Sequence, residues 1–307
     1  MLPDAVLAFA DRGPDWVAFV DRLPRLVREL SEEWELRPDG APLSGFTALV
    51  LPVVSPNGPA MLKVGFPDDE SEHEHLALQH WHGRAAVRLL RADPGRRAML
   101  LERLGAQDLT DSWDVEACEI VGSLYGALHV PALPQLRTLT SYIARWTDEL
   151  AVLPRSAPLP HRLVEQAVSL GRDFVADPAS AGTMIHGDLH YENVLASTRD
   201  EGPRWLAIDP NPMSGDPHYE IAPLLWNRWA ELAGPTSVQS VRAGVRGRFH
   251  ATIDAAGLDE DRARDWVVVR MLHNAMWELE DHPADGPQAP DADYLTMCVT
   301  LAKAVQG

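Results

Sequence analysis

The sequence HGDLHYENVL at residues 186–195, followed by WLAIDP at residues 205–210, places three polar side chains around short apolar strands. Asp188 and Asn193 lie on one predicted tight loop, and Asp209 ends the next apolar strand. Side chains placed in this way can converge on one point. Carboxylate and amide oxygens, together with substrate phosphates, are the ligands that Mg²⁺ prefers. The pattern therefore predicts a phosphoryl-transfer site, in which one carboxylate orients the attacking hydroxyl and the other oxygens hold metal against the phosphates.

The two histidines of this loop allow a second interpretation. His186 and His190 flank Asp188 and could bind zinc in a hydrolase, since zinc sites use histidine and carboxylate ligands. The usual two-histidine pair, however, lies at i and i+4 on a helix. Gly187 and the short flanking strands disfavour a helix here, so His186 is expected to support the loop through hydrogen bonds and His190 to lie beside the site or at the surface.

The N-terminal third of the chain shows β patterns. Residues 46–54 are rich in β-formers and end at the turn sequence Ser55-Pro56-Asn57-Gly58, after which residues 60–64 continue with Lys63. This predicts a β-hairpin with a lysine on its second strand. A helix at 71–81 and a strand at 97–104 complete a small β lobe.

The rest of the chain is predicted to be mostly helical, because apolar residues recur at steps of three and four. A short interruption at about 183–209 contains the loop described above. The predicted helices are 115–129, 138–150, 162–175, 219–232, 237–256, 260–281 and 291–305.

Several motifs carry a family resemblance. His186-Gly187-Asp188 with Asn193 resembles the catalytic loop of kinases with the protein-kinase-like fold, and Gly187 stands where protein kinases carry arginine, as in the aminoglycoside phosphotransferases. Ile208-Asp209-Pro210 resembles the metal-binding strand end of that family. The chain is similar in particular to the streptomycin 6-kinase and hydroxyurea phosphotransferase branch, over nearly its whole length and in the same order, in the segments WELRPDG (34–40), ALQHWHGRAAVRLL (77–90), MLLERL (99–104), HYENVLA (190–196), WLAIDPNPMSGDP (205–217) and HNAMWELED (273–281).

The resemblance implies an α+β, bilobal protein-kinase-like fold. Residues 1–104 would form a small antiparallel β lobe that binds the nucleotide and ends in a hinge, and residues 105–307 a mainly helical lobe with the catalytic loop and the acceptor site. The cofactors would be ATP and Mg²⁺. Asp188 would be the catalytic base, with Asn193 and Asp209 as Mg²⁺ ligands.

The nucleotide contacts implied by the resemblance lie in the β lobe. Lys63 would contact the α- and β-phosphates, and Glu74 would hold Lys63 through an ion pair, although Glu72 on the same short helix competes for that place. Adenine would bind the hinge backbone near Glu102 and Leu104. The loop that covers the phosphates is expected near residues 43–48, which contain a single glycine, Gly45.

The acidic net charge would attract a cationic ligand, although on charge alone the excess of Asp and Glu is also explained by its contribution to solubility. With 27 basic and 45 acidic residues, the formal charge is −18, which disfavours nucleic acid as a partner. Acidic residues follow the catalytic loop, so a cationic, aminoglycoside-like acceptor is expected to contact Asp216, Glu220, Glu278 and Asp281. The group Glu278, Glu280 and Asp281 could equally be a solvated helix end.

Location and activity follow as further expectations. The N-terminal segment does not resemble a signal peptide and no apolar run reaches 18 residues, so we expect a cytoplasmic protein without a membrane partner. Cys118 and Cys298 are expected to be buried free thiols.

The resemblance implies phosphorylation of the 6-hydroxyl of a streptomycin-like aminoglycoside and antibiotic resistance. Alternatives are a kinase of hydroxyurea or an amino sugar, or a nucleotide-binding pseudokinase, which the presence of Lys63, Asp188, Asn193 and Asp209 opposes.

Overall fold

A computed structural model describes residues 2–234, 240–282 and 289–306 of the chain. The chain divides into two compact units, the first made of residues 1–107 and 196–208 and the second of residues 108–195 and 209–307. This division lies close to the predicted boundary at 104/105. The return of residues 196–208 to the first unit is not among the sequence-based predictions.

The first unit is built on a six-stranded antiparallel sheet. Its strands in chain order are β1 (Arg37–Pro38), β2 (Leu43–Ser44), β3 (Ala48–Ser55), β4 (Gly58–Gly65), β5 (Leu89–Asp93) and β6 (Ala98–Glu102). The order across the sheet is β1-β3-β4-β6-β5, and β2 also pairs with β3. Ser55 pairs with Gly58 at the end of the β3–β4 hairpin and Lys63 pairs with Val50, so the predicted hairpin is confirmed.

Three helices pack with this sheet or precede it: α1 (Asp4–Leu7), α2 (Pro14–Glu33) and α3 (Glu74–Trp81). Proline suits the first turn of a helix, and α2 begins at Pro14. The buried face of α2, including Phe19, Leu23 and Leu30, shares one apolar core with the sheet. Residues 196–208, which belong to the first unit, contain the end of β9 (Val194–Ala196) and all of β10 (Trp205–Ala207). These two strands pair as a short ribbon.

The second unit is mainly helical. Its helices are α4 (Asp114–Leu128), α5 (Leu139–Ala151), α6 (His161–Ala176), α7 (Ala222–Trp226), α8 (Trp229–Ala233), α9 (Val241–Ala256), α10 (Glu260–Asp281) and α11 (Ala292–Ala304). A small antiparallel sheet, in the order β11-β8-β7, joins β7 (Val130–Pro131), β8 (Thr183–Ile185) and β11 (Met213–Gly215). The centre of α10 is buried in the core of this unit.

Two predicted helices differ from the observed ones. The single helix expected at 219–232 is two short helices, because Arg228 adopts a left-handed conformation with φ of 57° between α7 and α8. The helix expected at 237–256 is observed from Val241, and residues 237–239 lie outside the described residues. The expected α+β class, with an antiparallel β unit and a mainly helical unit, is confirmed.

Both cysteines are buried free thiols, as predicted. Burial raises the pKa of Cys118 on α4 to about 11 and that of Cys298 on α11 to about 12. Within the described ranges, none of the helices combines the length and the apolar character that a bilayer crossing requires.

Candidate active site

The predicted catalytic loop connects β8 to β9, and Gly187 is the residue on which its shape depends. Gly187 has φ of 84°, and a Cβ atom there would lie 2.3 Å from the carbonyl oxygen of Asn211. The Asn211 N–H donates to the His186 carbonyl oxygen at 2.8 Å. The chain just after Asp209 is therefore hydrogen bonded to the chain just before Asp188, and only glycine fits at their contact.

We expect the substitution Gly187→Ala to lower both stability and activity. An alanine in the left-handed region is strained, and its Cβ would overlap backbone that cannot move as a flexible side chain can. The free energy of unfolding should fall by about 1–3 kcal/mol and kcat by at least roughly tenfold, since the loop must shift. Gly126→Ala is the control, because no atom lies within 4 Å of the Cβ position there. Thermal unfolding and kcat are the measurements, and wild-type values in both would contradict the expectation.

Buried charged side chains hold the backbone on both sides of Gly187. Its N–H donates to Glu220 Oε1 at 2.7 Å, and its carbonyl oxygen accepts from Arg270 Nη2 at 2.8 Å. The other carboxylate oxygen of Glu220 lies 2.6 Å from His129 Nε2. Charge-assisted hydrogen bonds of this kind are stronger than neutral ones. Glu220, Arg270 and His129 therefore fix the peptide that carries Asp188, and none of the three was predicted in this role.

Asp188 and Asn193 are brought together by the loop. Asn193 Nδ2 donates to the Asp188 backbone carbonyl at 2.9 Å and lies 3.1 Å from His190 Nε2. Because the amide nitrogen is used in this way, Asn193 Oδ1 is left without a hydrogen bond among the described residues. The Asp188 side chain is 35% exposed, with one oxygen 3.7 Å from His190 Nε2. Asp188 thus keeps a carboxylate that a ligand can reach.

The two histidine side chains of the loop accept hydrogen bonds from its backbone. His186 is fully buried, and its Nδ1 accepts from the Asp188 N–H at 3.3 Å. His190 Nδ1 accepts from the Glu192 N–H at 3.4 Å. The hydrogen-bonding role predicted for His186 is confirmed, and these contacts give no support to a pair of histidine metal ligands.

The chemistry of Asp188, Asn193 and Asp209 fits a magnesium ion. No group of three or more His, Cys, Asp or Glu side chains placed to hold a metal occurs in the described part of the chain. Mg²⁺ does not need one, because it usually takes one or two carboxylates and completes its shell with water and substrate phosphates. Asp209 adopts φ of 59°, a left-handed conformation that aspartate and asparagine tolerate better than most residues.

Lys63 and Glu74 form a buried ion pair in the first unit. Lys63 Nζ lies 2.7 and 2.6 Å from the two carboxylate oxygens of Glu74, and the two residues are 8% and 2% exposed. The carboxylate of Glu72 is half exposed and lies 3.9 Å from Arg97 Nη2. The choice left open by the sequence is thus resolved in favour of Glu74.

The predicted phosphate-covering loop is a tight turn between β2 and β3. The Gly45 N–H donates to the Ala48 carbonyl at 2.8 Å, and Thr47 lines a small cavity together with Lys63 and Glu74. A Cβ at Gly45 would come no closer than 3.6 Å to another atom. The turn therefore exists at the predicted place, although its geometry does not require glycine at Gly45.

In the hinge, the backbone of Leu104 makes no hydrogen bond to the described residues, whereas its neighbours do. The Glu102 N–H donates to the Arg88 carbonyl at 3.0 Å, the Arg103 carbonyl accepts from Thr198 Oγ1 at 2.8 Å, and the Gly105 N–H donates to the Ala196 carbonyl at 2.8 Å. Leu104 makes no backbone hydrogen bond among the described residues. Since unpaired backbone groups in a folded chain are satisfied by water or ligand, Leu104 is the better of the two predicted adenine contacts.

Two of the predicted acceptor contacts are structural residues instead. Asp216 is 1% exposed, and its oxygens accept from His218, Arg262 and Trp266. Glu220 is fully buried and bonded to Gly187 and His129, as described above. A buried carboxylate whose oxygens are already hydrogen bonded offers nothing to an incoming ligand, so the acceptor role predicted for Asp216 and Glu220 is corrected.

The three acidic residues at the end of α10 differ in availability. Glu278 Oε1 accepts from the Asp291 N–H at 2.7 Å. Partial burial and a hydrogen bond with Glu149 raise the pKa of Glu280. Asp281 is exposed, and no hydrogen bond or ion pair is found for it within the described residues. Asp281 is therefore the member of this group that is free to bind a cation.

An aromatic cluster that the sequence analysis did not identify lies in the same region. It consists of Tyr142 and Trp146 on α5 and Trp277 on α10, with ring centroids 5.2–6.2 Å apart. The indole N–H groups of Trp146 and Trp277 are buried and have no partner among the described residues. The spacing of aromatic residues along α5 was the available signal, since Tyr142 and Trp146 lie four residues apart.

Comparisons with known proteins agree with the motifs. A sequence model of the aminoglycoside/hydroxyurea antibiotic resistance kinases matches residues 33–282. The chain is 39% identical to a streptomycin 6-kinase of Streptomyces glaucescens, over 98% of the chain and 94% of that protein. It is 38% identical to a hydroxyurea phosphotransferase of Kitasatospora aureofaciens, over 86% and 75% respectively.

Solved structures support the fold. The chain resembles aminoglycoside phosphotransferase APH(4)-Ia in a ternary complex with ADP and hygromycin B, with a TM-score of 0.59 and 18% identity over 91% of the chain and 98% of that protein. It resembles spectinomycin phosphotransferase APH(9)-Ia with a TM-score of 0.61 and 13% identity over 92% and 98%. Each similarity covers most of this chain and most of the solved structure, and at these identities it shows a shared fold.

Proposed function

The chain belongs to the aminoglycoside/hydroxyurea antibiotic resistance kinases, and we propose that it transfers the γ-phosphoryl group of ATP to the 6-hydroxyl of a streptomycin-like aminoglycoside. The observation that carries this proposal is the loop that holds an accessible Asp188 carboxylate beside Asn193. The similarity to two streptomycin 6-kinases, at 39% and 35% identity, favours streptomycin over other acceptors. Phosphorylation would inactivate the antibiotic and confer resistance.

Each chemical task of phosphoryl transfer has a residue in this chain. Asp188 orients the acceptor hydroxyl and accepts its proton, in a position set by the Gly187 contacts with Glu220 and Arg270. Lys63, held by Glu74, binds the α- and β-phosphates. Asn193 and Asp209 are the residues that would hold Mg²⁺, whose charge offsets that of the phosphates. Leu104 provides the hinge backbone that binds adenine.

The end of α10 provides chemistry suited to a guanidinylated, hydroxylated acceptor. Streptomycin carries guanidinium groups, which pair with carboxylates through charge-assisted hydrogen bonds, and Asp281 offers such a carboxylate. The indole N–H groups of Trp146 and Trp277 have no partner among the described residues, but they are buried and could donate to acceptor hydroxyls only after the surrounding side chains move. Arginines lie over Tyr142 and Trp146, whereas within the described residues no cation lies over Trp277, whose ring can receive one.

Neutralising Asp281 is expected to weaken acceptor binding alone. Loss of one charged partner costs roughly 2–5 kcal/mol when the pair is buried, and the exposure of Asp281 places the effect at or below the lower end. Asp281→Asn should therefore raise KM for streptomycin by about tenfold while KM for ATP stays unchanged. Glu280→Gln is the control, because Glu280 lies about 100° away around the helix and is hydrogen bonded to Glu149. Equal KM values for streptomycin in wild type and Asp281→Asn would exclude this contact.

A mass-shift assay with purified protein, ATP and Mg²⁺ tests the function directly. We expect a gain of one phosphoryl group on streptomycin, at a hydroxyl that fragmentation locates. Hydroxyurea and a neutral amino sugar belong in the same panel, since one relative is a hydroxyurea phosphotransferase. Turnover of hydroxyurea or a neutral sugar without turnover of any cationic aminocyclitol would reject the proposed acceptor. Absence of ATP consumption with every acceptor would instead favour a pseudokinase.

The proposed reaction also fits the cytoplasm. ATP and Mg²⁺ are available there, and a reducing compartment keeps thiols such as Cys118 and Cys298 unpaired.

A further inference from the structure

The β9–β10 ribbon, residues 194–207, contacts the hinge through Arg199, which lies in the connection between the two strands. Its guanidinium forms a two-point ion pair with Glu102, in which Nη2 contacts Oε1 and Nε donates to Oε2 at 3.0 Å. The side chains of Arg199 and Glu102 are only 11% and 14% exposed. A two-point arginine–carboxylate pair in such a partly buried position fixes the relative orientation of the two side chains.

Two further N–H groups of Arg199 bind backbone carbonyls. Nη1 donates to the Gly83 carbonyl at 2.6 Å, and Nη2 donates to the Ala86 carbonyl at 3.2 Å. Gly83 has φ of 76°, and a Cβ there would lie 2.6 Å from the Arg88 side chain and 3.2 Å from Arg199 Nη2. The chain after α3 is therefore shaped to receive this guanidinium, which joins three segments of the first unit.

Arg103, which follows Glu102 in the hinge, is hydrogen bonded to the same ribbon. Thr198 Oγ1 donates to the Arg103 carbonyl, and Ala196 pairs through its backbone with Gly105 and Gln107. Residues 102, 103, 105 and 107 are thus each bonded to the ribbon, while Leu104 and Ala106, which alternate with the last of them, make no backbone hydrogen bond among the described residues. The bonds on both sides leave the Leu104 peptide groups in a fixed orientation with no partner of their own.

We propose that Arg199 is a positioning residue for nucleotide binding, which acts through Glu102 to hold the Leu104 backbone in the orientation that receives adenine. The proposal rests on the proposed function only in that the hinge binds a nucleotide, and it is independent of the acceptor. The arginine fork matters because a lysine at this position offers a point charge and cannot reproduce two parallel hydrogen bonds together with two carbonyl contacts.

The substitution Arg199→Met tests this role. We expect KM for ATP and the calorimetric Kd for ATP, measured without acceptor, to rise about tenfold, whereas kcat and KM for the acceptor stay within about twofold of wild type. Arg199→Lys should recover part of the ATP affinity. Arg204→Met is the matched control, since Arg204 lies on the same ribbon and is exposed, and its guanidinium lies over the Trp205 ring with no hydrogen bond or ion pair in the described part of the chain.

A second variant separates positioning from folding stability. Arg199→Met alone leaves the partly buried Glu102 carboxylate without its ion-pair partner, which destabilises a protein. In the double variant Arg199→Met/Glu102→Gln that charge is absent, and the Gln oxygen can still accept from the Arg88 N–H. We expect its thermal stability to recover while its Kd for ATP stays raised.

Three results would overturn the proposal: an unchanged Kd for ATP in Arg199→Met, a Kd that recovers together with stability in the double variant, or an equal rise in Arg204→Met. Failure of the wild-type protein to phosphorylate streptomycin would reject the proposed acceptor without affecting these ATP-binding measurements.

Discussion

Replacing Asp188 by asparagine is expected to lower kcat by about 10²–10⁴-fold, the range typical for loss of a general base. Asparagine has the same shape, and the loop contacts of residue 188 with Asn193 and His186 run through its backbone, so the loop should keep its conformation. Only the proton acceptor and one negative charge are removed. The Kd for ATP should therefore change little, which calorimetry can measure beside kcat.

Glu192→Gln provides the control for the loss of a carboxylate from this loop. The Glu192 side chain is 66% exposed and makes no hydrogen bond to Asp188. Its neutralisation should therefore leave kcat near the wild-type value. A folded Asp188→Asn protein with undiminished turnover would remove the base role and would weaken the assignment of the loop as the catalytic centre.

The second large effect is expected at Asp209, where loss of the carboxylate should abolish Mg²⁺-dependent binding of ATP. Alanine is a poor replacement on its own, because residue 209 has φ of 59° and alanine disfavours that region. Asparagine tolerates it, so Asp209→Asn removes the charge and retains the backbone. Calorimetry of both variants with and without Mg²⁺ is the measurement, and Asp209→Asn should show no gain in ATP affinity on adding the metal.

Asp200→Asn is the matched control for this experiment, since Asp200 is an exposed carboxylate in the ribbon that precedes Asp209. Its ATP affinity should rise with Mg²⁺ as in the wild type. If Asp209→Asn and the wild type bound ATP equally at saturating Mg²⁺, Asp209 would not be a metal ligand.

The parts of the site that could be predicted from sequence are those set by local spacing. Asp188 and Asn193 belong to one loop, and Lys63 follows a turn with clear glycine and proline signals, so short stretches of chain determine where they lie. The same applies to the fold class, because the β-formers and turn residues of the first third and the helical periodicity of the rest are local patterns.

The parts that could not be predicted depend on partners far apart in the chain. Gly187 and Arg270 are 83 residues apart, and Arg199 and Glu102 are 97 residues apart. An acidic residue in a sequence does not show whether its carboxylate faces solvent. Asp216 and Glu220, which the sequence predicts as acceptor contacts, are both buried. The contribution of His129 to the catalytic loop depends on the same long-range packing.

The two buried thiols also make the folded protein resistant to thiol-specific dyes. At neutral pH only the thiolate reacts, and pKa values of about 11 and 12 leave almost none of it on Cys118 and Cys298. Labelling at either cysteine therefore requires the surrounding helices to open, and its rate under mild conditions reports the fraction of molecules that are transiently unfolded. Because Cys118 lies on α4 and Cys298 on α11, peptide mapping of the attached dye would tell which part of the helical unit opens first.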